Sequence, residues 1–328
     1  MHNPDSELPP PPESTSQDSR VPRPREKRRS RKRDTVWTIV TLVAFISGSL
    51  GGYFLRGQVD RGKHSTQADL ASLAKQINPA EGYTVPASFG DLGPRLLEAG
   101  AIRQNAFSQV YEQAGKPLSA EQMEILRQGS ETQVVFNQQN AYFLLNFFWA
   151  VGLANENPVL IEGPMMQRGQ ENVVGYASTG GWTLATRPVK ELYASVPLIV
   201  LTPEQQVRLE EVVQAIYRPC CNNPTSFPDC NHGMAMLGLM ELMASQRATA
   251  DEMFQAAKYA NAFWCPQQTL ELATYFNLMQ KASFNQADAR TLVSQRFSSG
   301  SGFQAVHEWL STNGQLPQAP GSGNNCGV

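Results

Sequence analysis

Three of the five cysteines and one of the four histidines fall within thirteen residues, as Cys220, Cys221, Cys230 and His232. Thiolate and imidazole are the donors that soft and borderline metals prefer. The arrangement Cys-Cys-x8-Cys-x-His is not a zinc-finger spacing, which places two to four residues between paired ligands. A site for copper or zinc with Cys220, Cys221, Cys230 and His232 as ligands is the leading expectation. Cys326, on a Gly-rich tether near the C-terminus, would be a further ligand if the chain folds back. The three sulfurs and the imidazole should then converge.

The same residues admit two other chemistries. Disulfides are the first. Adjacent Cα atoms stand about 3.8 Å apart, below the usual span of a bridge, so a Cys220–Cys221 bond would be strained. Bridges would instead draw on Cys221, Cys230, Cys265 and Cys326, and five cysteines leave one unpaired. Thiol catalysis is the second, with Cys230 as nucleophile and His232 as base. Residues i and i+2 do not face each other on a helix, no oxyanion element is visible, and no C-x-x-C pair occurs. No catalytic residue is therefore assigned, and an enzyme stands behind the other two readings. The chain also lacks G-x-x-x-x-G-K-[ST], H-E-x-x-H, G-x-S-x-G and C-x-x-C-H.

The element that must hold this cluster is a loop, 219–233, broken by Pro219, Pro224 and Pro228 between two predicted helices. Asn231 reads as the cap of the second helix, which puts Cys230 and His232 at its N-terminus, where unpaired amides favour a thiolate. That helix carries Met234, Met236, Met240 and Met243. A thioether set beside thiolates would suit copper(I). With Leu237, Leu239 and Leu242 the helix is apolar almost all round, so the methionines read as core packing.

The rest of 85–313 reads as a mostly helical domain. Ser119 with Gln122, Thr202 with Gln205 and Thr249 with Glu252 are capping boxes, and Pro203 stands at a first helical position. Further helices are expected over 65–77, after Asp91, and over 103–113, 267–281 and 303–310. The apolar stretch 141–154 is too short to span a bilayer and reads as a buried central helix. Segments 158–161, 173–176 and 182–185, with Gly180-Gly181 as a turn, predict a small β-hairpin inserted between helices.

Topology comes from the N-terminal third of the sequence. Residues 1–19 carry four acids and no base, and 20–35 carry nine bases and two acids, so the net charge of −2 averages unlike segments. The Pro-rich, basic 1–35 cannot bury enough apolar surface to offset its ordering entropy and is expected to be disordered. Residues 36–55 then run without an acidic or basic side chain, bracketed by Trp37 and Tyr53. Twenty helical residues span about 30 Å, the thickness of the hydrocarbon core. The bases before this stretch predict a single-pass anchor with its N-terminus in the cytoplasm. A juxtamembrane helix and linker, 56–84, would lead to an extracytoplasmic domain at the plasma membrane, followed by a Gly/Pro-rich tail, 314–328. Outside the tail no basic patch with interleaved aromatics appears, which argues against nucleic acid as a partner. A protein partner is not identified by the sequence.

The run Cys220 to Gly233, CCNNPTSFPDCNHG, resembles a motif of membrane-anchored bacterial proteins of unknown function. The segment 177–183 and the Cys-Gly-Val ending are similar to the same group. The resemblance covers most of 85–328 and implies no activity. A fainter similarity, through Pro219-Cys220, is to bacterial lipoproteins with a Pro-Cys-Tyr-Cys-Gly-Cys motif. Its alternating cysteines are absent here, so no ligand is carried over.

Overall fold

The computed structural model describes residues 67–317. The tail 1–35, the proposed anchor 36–55, His2, His64 and Cys326 lie outside the described residues. In chain order the main elements are α1 (Gln67–Ile77), β1 (Tyr83–Gly90), α2 (Leu92–Glu98), α3 (Gln104–Gln113), α4 (Ala120–Gln128), β2 (Ser130–Phe136) and α5 (Ala141–Ala154). They continue as α6 (Pro203–Ala215), α7 (Asn231–Ser245), α8 (Ala250–Trp264), α9 (Pro266–Gln280) and α10 (Gly300–Thr312). The protein is mainly helical with one small antiparallel sheet, as expected in class.

The centre is the pair α5 and α7. Both are apolar around most of their circumference, and nearly every residue of each is buried. Met234, Met236, Met240 and Met243 are fully buried among them, which makes them packing residues. The two helices meet backbone to backbone. A Cβ on Gly152 would collide with the Met234 carbonyl oxygen, and one on Gly238 with the Phe148 carbonyl oxygen. Among the described residues no helix is long and apolar enough to cross a membrane, and α5 is accordingly a core helix.

All three capping boxes form. Ser119 Oγ accepts from the Gln122 N–H at 3.1 Å, Thr202 Oγ1 from Gln205 at 3.3 Å and Thr249 Oγ1 from Glu252 at 3.3 Å. Each N3 side chain bonds back to the cap residue's N–H, so two orphan donors are satisfied at each start.

The sheet is where the sequence reading fails. It is built from β1 and β2, paired with Tyr83 opposite Phe136 and Gly90 opposite Ser130. The stretch 158–200 forms no hairpin. Pro158–Ile161 is a single helical turn capped by Asn157, whose Oδ1 accepts from the Val159 N–H at 2.9 Å. Residues 173–176 fall mostly in a 3-10 segment, Gln170–Gly175. Trp182 serves packing, with Nε1 donating to the Ala101 carbonyl at 2.8 Å and its ring 5.0 Å from that of Trp149. An Asn-Pro pair starts a helix as readily as it ends a strand, and here the capping chemistry prevails.

Part of the predicted linker 56–84 also belongs to the fold. Leu73 and Ile77 of α1 are buried in a second apolar cluster with Leu270, Phe276, Phe297 and Leu310. The loop 219–230 connects α6 to α7 and reaches α10, so it bonds to elements of both clusters.

Candidate metal centre

The loop closes around one buried cation. Arg218 has no exposed surface, although nothing in its neighbourhood in sequence marks it as a core residue. Its Nε donates to Cys230 Sγ at 3.1 Å, Nη1 to the Asn223 carbonyl at 2.8 Å, and Nη2 to the Phe227 carbonyl at 3.3 Å. Nη2 also pairs with Asp229 Oδ1 at 2.8 Å. A buried charge is tolerated only when paired and hydrogen-bonded, and here the loop supplies every partner. Asn223 Nδ2 donates to Asp229 Oδ2 at 2.7 Å and ties the carboxylate back to the loop.

Other contacts fix the loop's edges. The Thr225 N–H reaches the Ile216 carbonyl at 2.8 Å, and the Ser226 N–H reaches that of Val213 at 3.0 Å. At the start of α10, the Gly300 N–H donates to the Cys221 carbonyl at 2.7 Å and the Ser301 N–H to Asn222 Oδ1 at 2.7 Å. The Ser178 N–H donates to the Asp229 carbonyl at 3.1 Å.

Within this frame the sulfurs of Cys220, Cys221 and Cys230 all lie within 4.8 Å of one another. Two sulfurs bound to one tetrahedral ion at about 2.3 Å each would stand roughly 3.8 Å apart. The trio can therefore hold a metal with little movement. The Cys220 and Cys230 sulfurs lie 3.4 Å apart. Cys230 is itself the cap of α7, with Sγ accepting from the Gly233 N–H at 3.4 Å. The predicted cap, Asn231, is the first helical residue instead.

The three thiols are electrostatically unlike. Hydrogen bonds from Cys220 and Cys221, then the Arg218 guanidinium, hold the Cys230 thiol well below its ordinary range against the effect of burial. Cys220 is pushed up by its hydrogen bonds to Cys221 and Cys230 and by burial. For Cys221 the hydrogen bond with Cys220 acts downward, but the one with Cys230 and burial outweigh it and push the thiol up to about 11. Burial acts to lower the Arg218 pKa, yet the adjoining cysteines, Cys230 foremost, outweigh it and raise it. Cys230 is thus the thiol most readily ionised, flanked by two thiols of raised pKa and by the Arg218–Asp229 ion pair.

His232 does not join. Neither of its nitrogens belongs to the group that the three sulfurs form. Its Nδ1 lies 3.0 Å from Asn231 Oδ1, its Nε2 is buried without a hydrogen-bond partner, and its ring stands edge-on to Trp264 at 6.2 Å. Burial lowers its pKa, so the imidazole is neutral. The reason is helical geometry: two residues along a helix point to different sides. The expected convergence holds for the sulfurs and fails for the imidazole.

The disulfide alternative divides. Cys221 and Cys230 carry free thiols, as does Cys220, whereas the buried Cys265 is disulfide-bonded. Cys265 therefore cannot serve the cluster. Arg218 was missed by the sequence reading, and the signal for it was weak: a basic residue beside Pro219, with its acidic partner eleven residues on.

Comparison with protein-family models, curated proteins and solved structures gives no match to this chain. No relative therefore assigns a role to the site residues, whose chemistry follows from their own geometry.

Proposed function

We propose that this protein binds and handles a soft metal ion at the outer face of a membrane. Cys220, Cys221 and Cys230 are the ligands. Residues 36–55 are the single-pass anchor, with the N-terminus in the cytoplasm. The observation that carries the reading is the convergence of three sulfurs within 4.8 Å in a loop pinned on several sides.

Thiolates select copper(I) and zinc over harder ions. Three sulfurs, with no imidazole or carboxylate atom in the same group among the described residues, suit copper(I), which is content with few soft ligands. Zinc would complete its tetrahedron with solvent or a donor from a partner, as in open zinc sites. Arg218 serves either ion by offsetting the charge of the thiolates. The exposed position of Cys220 leaves one side of the site open to exchange of ligands. The disulfide at Cys265 supports an extracytoplasmic location, because such bonds persist in oxidising compartments. That same disulfide is the one observation favouring the second reading, a stapled envelope or interaction domain without a cofactor.

Elemental analysis of the full-length protein, purified without chelator and under reducing conditions, tests the proposal. One equivalent of copper or zinc, lost on replacing any one of the three cysteines by Ser, is expected. Absence of both metals, with no competition for copper(I) against a chromophoric chelator, would overturn it.

A further inference from the structure

The Cys220 and Cys230 sulfurs are 3.4 Å apart, although ten positions separate the residues. A disulfide bond is about 2.05 Å long, so closure asks for a movement of only about 1.4 Å. The two sulfurs differ in access and in support. Cys220 is the exposed member of the cluster. Cys230 lies deeper and receives the Arg218 Nε–H at 3.1 Å and the Gly233 N–H at 3.4 Å. In thiol–disulfide exchange the accessible sulfur is attacked, and the better supported sulfur leaves with the electron pair. Both roles are filled by neighbouring atoms in this loop.

We propose that Cys220 and Cys230 form a reversible dithiol–disulfide couple that oxidises substrates carrying two cysteine thiols. The substrate's first thiolate attacks Cys220 Sγ of the oxidised couple. The Cys220–Cys230 bond breaks, its electron pair goes to Cys230 Sγ, and a mixed disulfide joins Cys220 to the substrate. The substrate's second thiolate then attacks its own sulfur in that mixed disulfide. A substrate disulfide forms, and the pair from the broken bond returns to Cys220 Sγ, which takes a proton from solvent. Two electrons pass from substrate to couple. A disulfide of low molecular weight, such as oxidised glutathione, restores the Cys220–Cys230 bond by the reverse exchange. The donors around Cys230 favour the reduced form, and stabilising the reduced form makes the disulfide the stronger oxidant.

Arg218 acts here as a positioning residue, aimed at the leaving sulfur. The couple uses two of the proposed metal ligands but does not depend on the metal reading. A bound ion and the disulfide exclude each other on these sulfurs, so each can be tested in the absence of the other.

The experiment takes full-length protein, stripped of metal, and equilibrates it across ratios of reduced to oxidised glutathione. Acid quenching, alkylation and peptide mass mapping read the products. The expected result is loss of two hydrogens, with Cys220 linked to Cys230 and Cys221 alkylated. Cys221→Ser should keep the couple. Cys230→Ser should stop at a glutathione adduct on Cys220. Arg218→Lys should lower the equilibrium constant for oxidising glutathione by tenfold or more, about 30 mV for this two-electron exchange. If Arg218→Lys does not fold, the Cys221→Ser and Cys230→Ser products decide alone. A bridge that engages Cys221, an adduct on Cys221 in place of Cys220, or three thiols reduced at every ratio would overturn the inference. Protein that binds no metal yet forms the bridge refutes the metal reading only, and protein that binds metal but never forms the bridge refutes only the couple.

Discussion

The guanidinium of Arg218 lies against the first turn of α7, so close that a single added carbon at Gly233 would enter it. Cys230 and Gly233 both meet that plane, one by accepting its Nε–H and the other by having no side chain. Gly233→Ala should therefore push Arg218 off Cys230 and Asp229. Overpacking of this kind costs about 1–3 kcal/mol. Thermal unfolding should show the loss, and metal affinity should fall with it. An unchanged melting temperature and unchanged affinity would mean that the guanidinium is not seated there.

The thiol inventory gives a second prediction. A disulfide at Cys265 consumes two of five cysteines and leaves three, the number in the cluster. Denatured, metal-free protein should titrate three thiols. A count of one with Cys221 in the bridge would return the loop to the bridged alternative, whereas a count of one with Cys221 free is the oxidised Cys220–Cys230 couple.

Cys230 also makes stability depend on pH. Its folded pKa lies well below the ordinary 9.0, so between those two values the unfolded chain holds a proton that the folded chain does not. Stability from this group is complete above about pH 9 and declines as the pH falls toward the folded value. Cys220 and Cys221 are shifted upward, so their effect falls above that window. Chemical denaturation between about pH 5 and 9, the range around a shifted thiol, should show stability rising more steeply with pH in the native protein than in Cys230→Ser. Equal slopes in both proteins would refute the thiolate assignment.

Glu241 has the opposite sign. It is fully buried in α7, and burial holds its pKa well above 4.5 against a weaker, opposing interaction with the Asn155 side chain. The folded protein keeps this proton and the unfolded chain releases it. The contribution is complete below about pH 4.5 and is lost as the pH rises through the folded value. Glu241→Gln removes the proton from the balance, so the variant should gain relative to the native protein as the pH rises from 4 to 8, an estimated span around the ordinary carboxyl range. A difference in stability that stays constant over that range would show that the carboxyl is ionised in the fold.

What the sequence revealed depended on how local the cause was. Ser119, Thr202 and Thr249 were legible as helix starts because a capping box is complete within four residues. The stretch 141–154 was legible because its apolar run ends at Asn140 and Asn155. β1 and β2 were not, because their partners lie roughly forty to fifty residues apart and Pro86, which cannot donate to a ladder, argues against a strand even though Val85, Ala87 and Phe89 alternate. The sulfur cluster was legible as composition. Its organising residue was not, since arginine is seldom buried and Asp229 becomes its partner only after the loop closes. His232 was misplaced by sequence proximity, which says nothing about direction on a helix.

The closest approach in the core offers a final test, in Gly152 and Gly238. Each leaves room for the backbone of the other's helix, and a Cβ at either would meet a carbonyl oxygen that cannot rotate away. Ala is the better helix former by about 1 kcal/mol, so on propensity alone both substitutions would stabilise. Packing should reverse that sign, because moving α5 from α7 disturbs buried side chains along both helices. Each single Ala variant should lose about 1–3 kcal/mol net. The double variant should lose less than the sum, since the first Cβ already separates the helices and the second enters space so made. Additive losses in a double-mutant cycle would mean that the two glycines accommodate separate contacts. A gain in stability from either single variant would mean that α5 and α7 are not packed at this point.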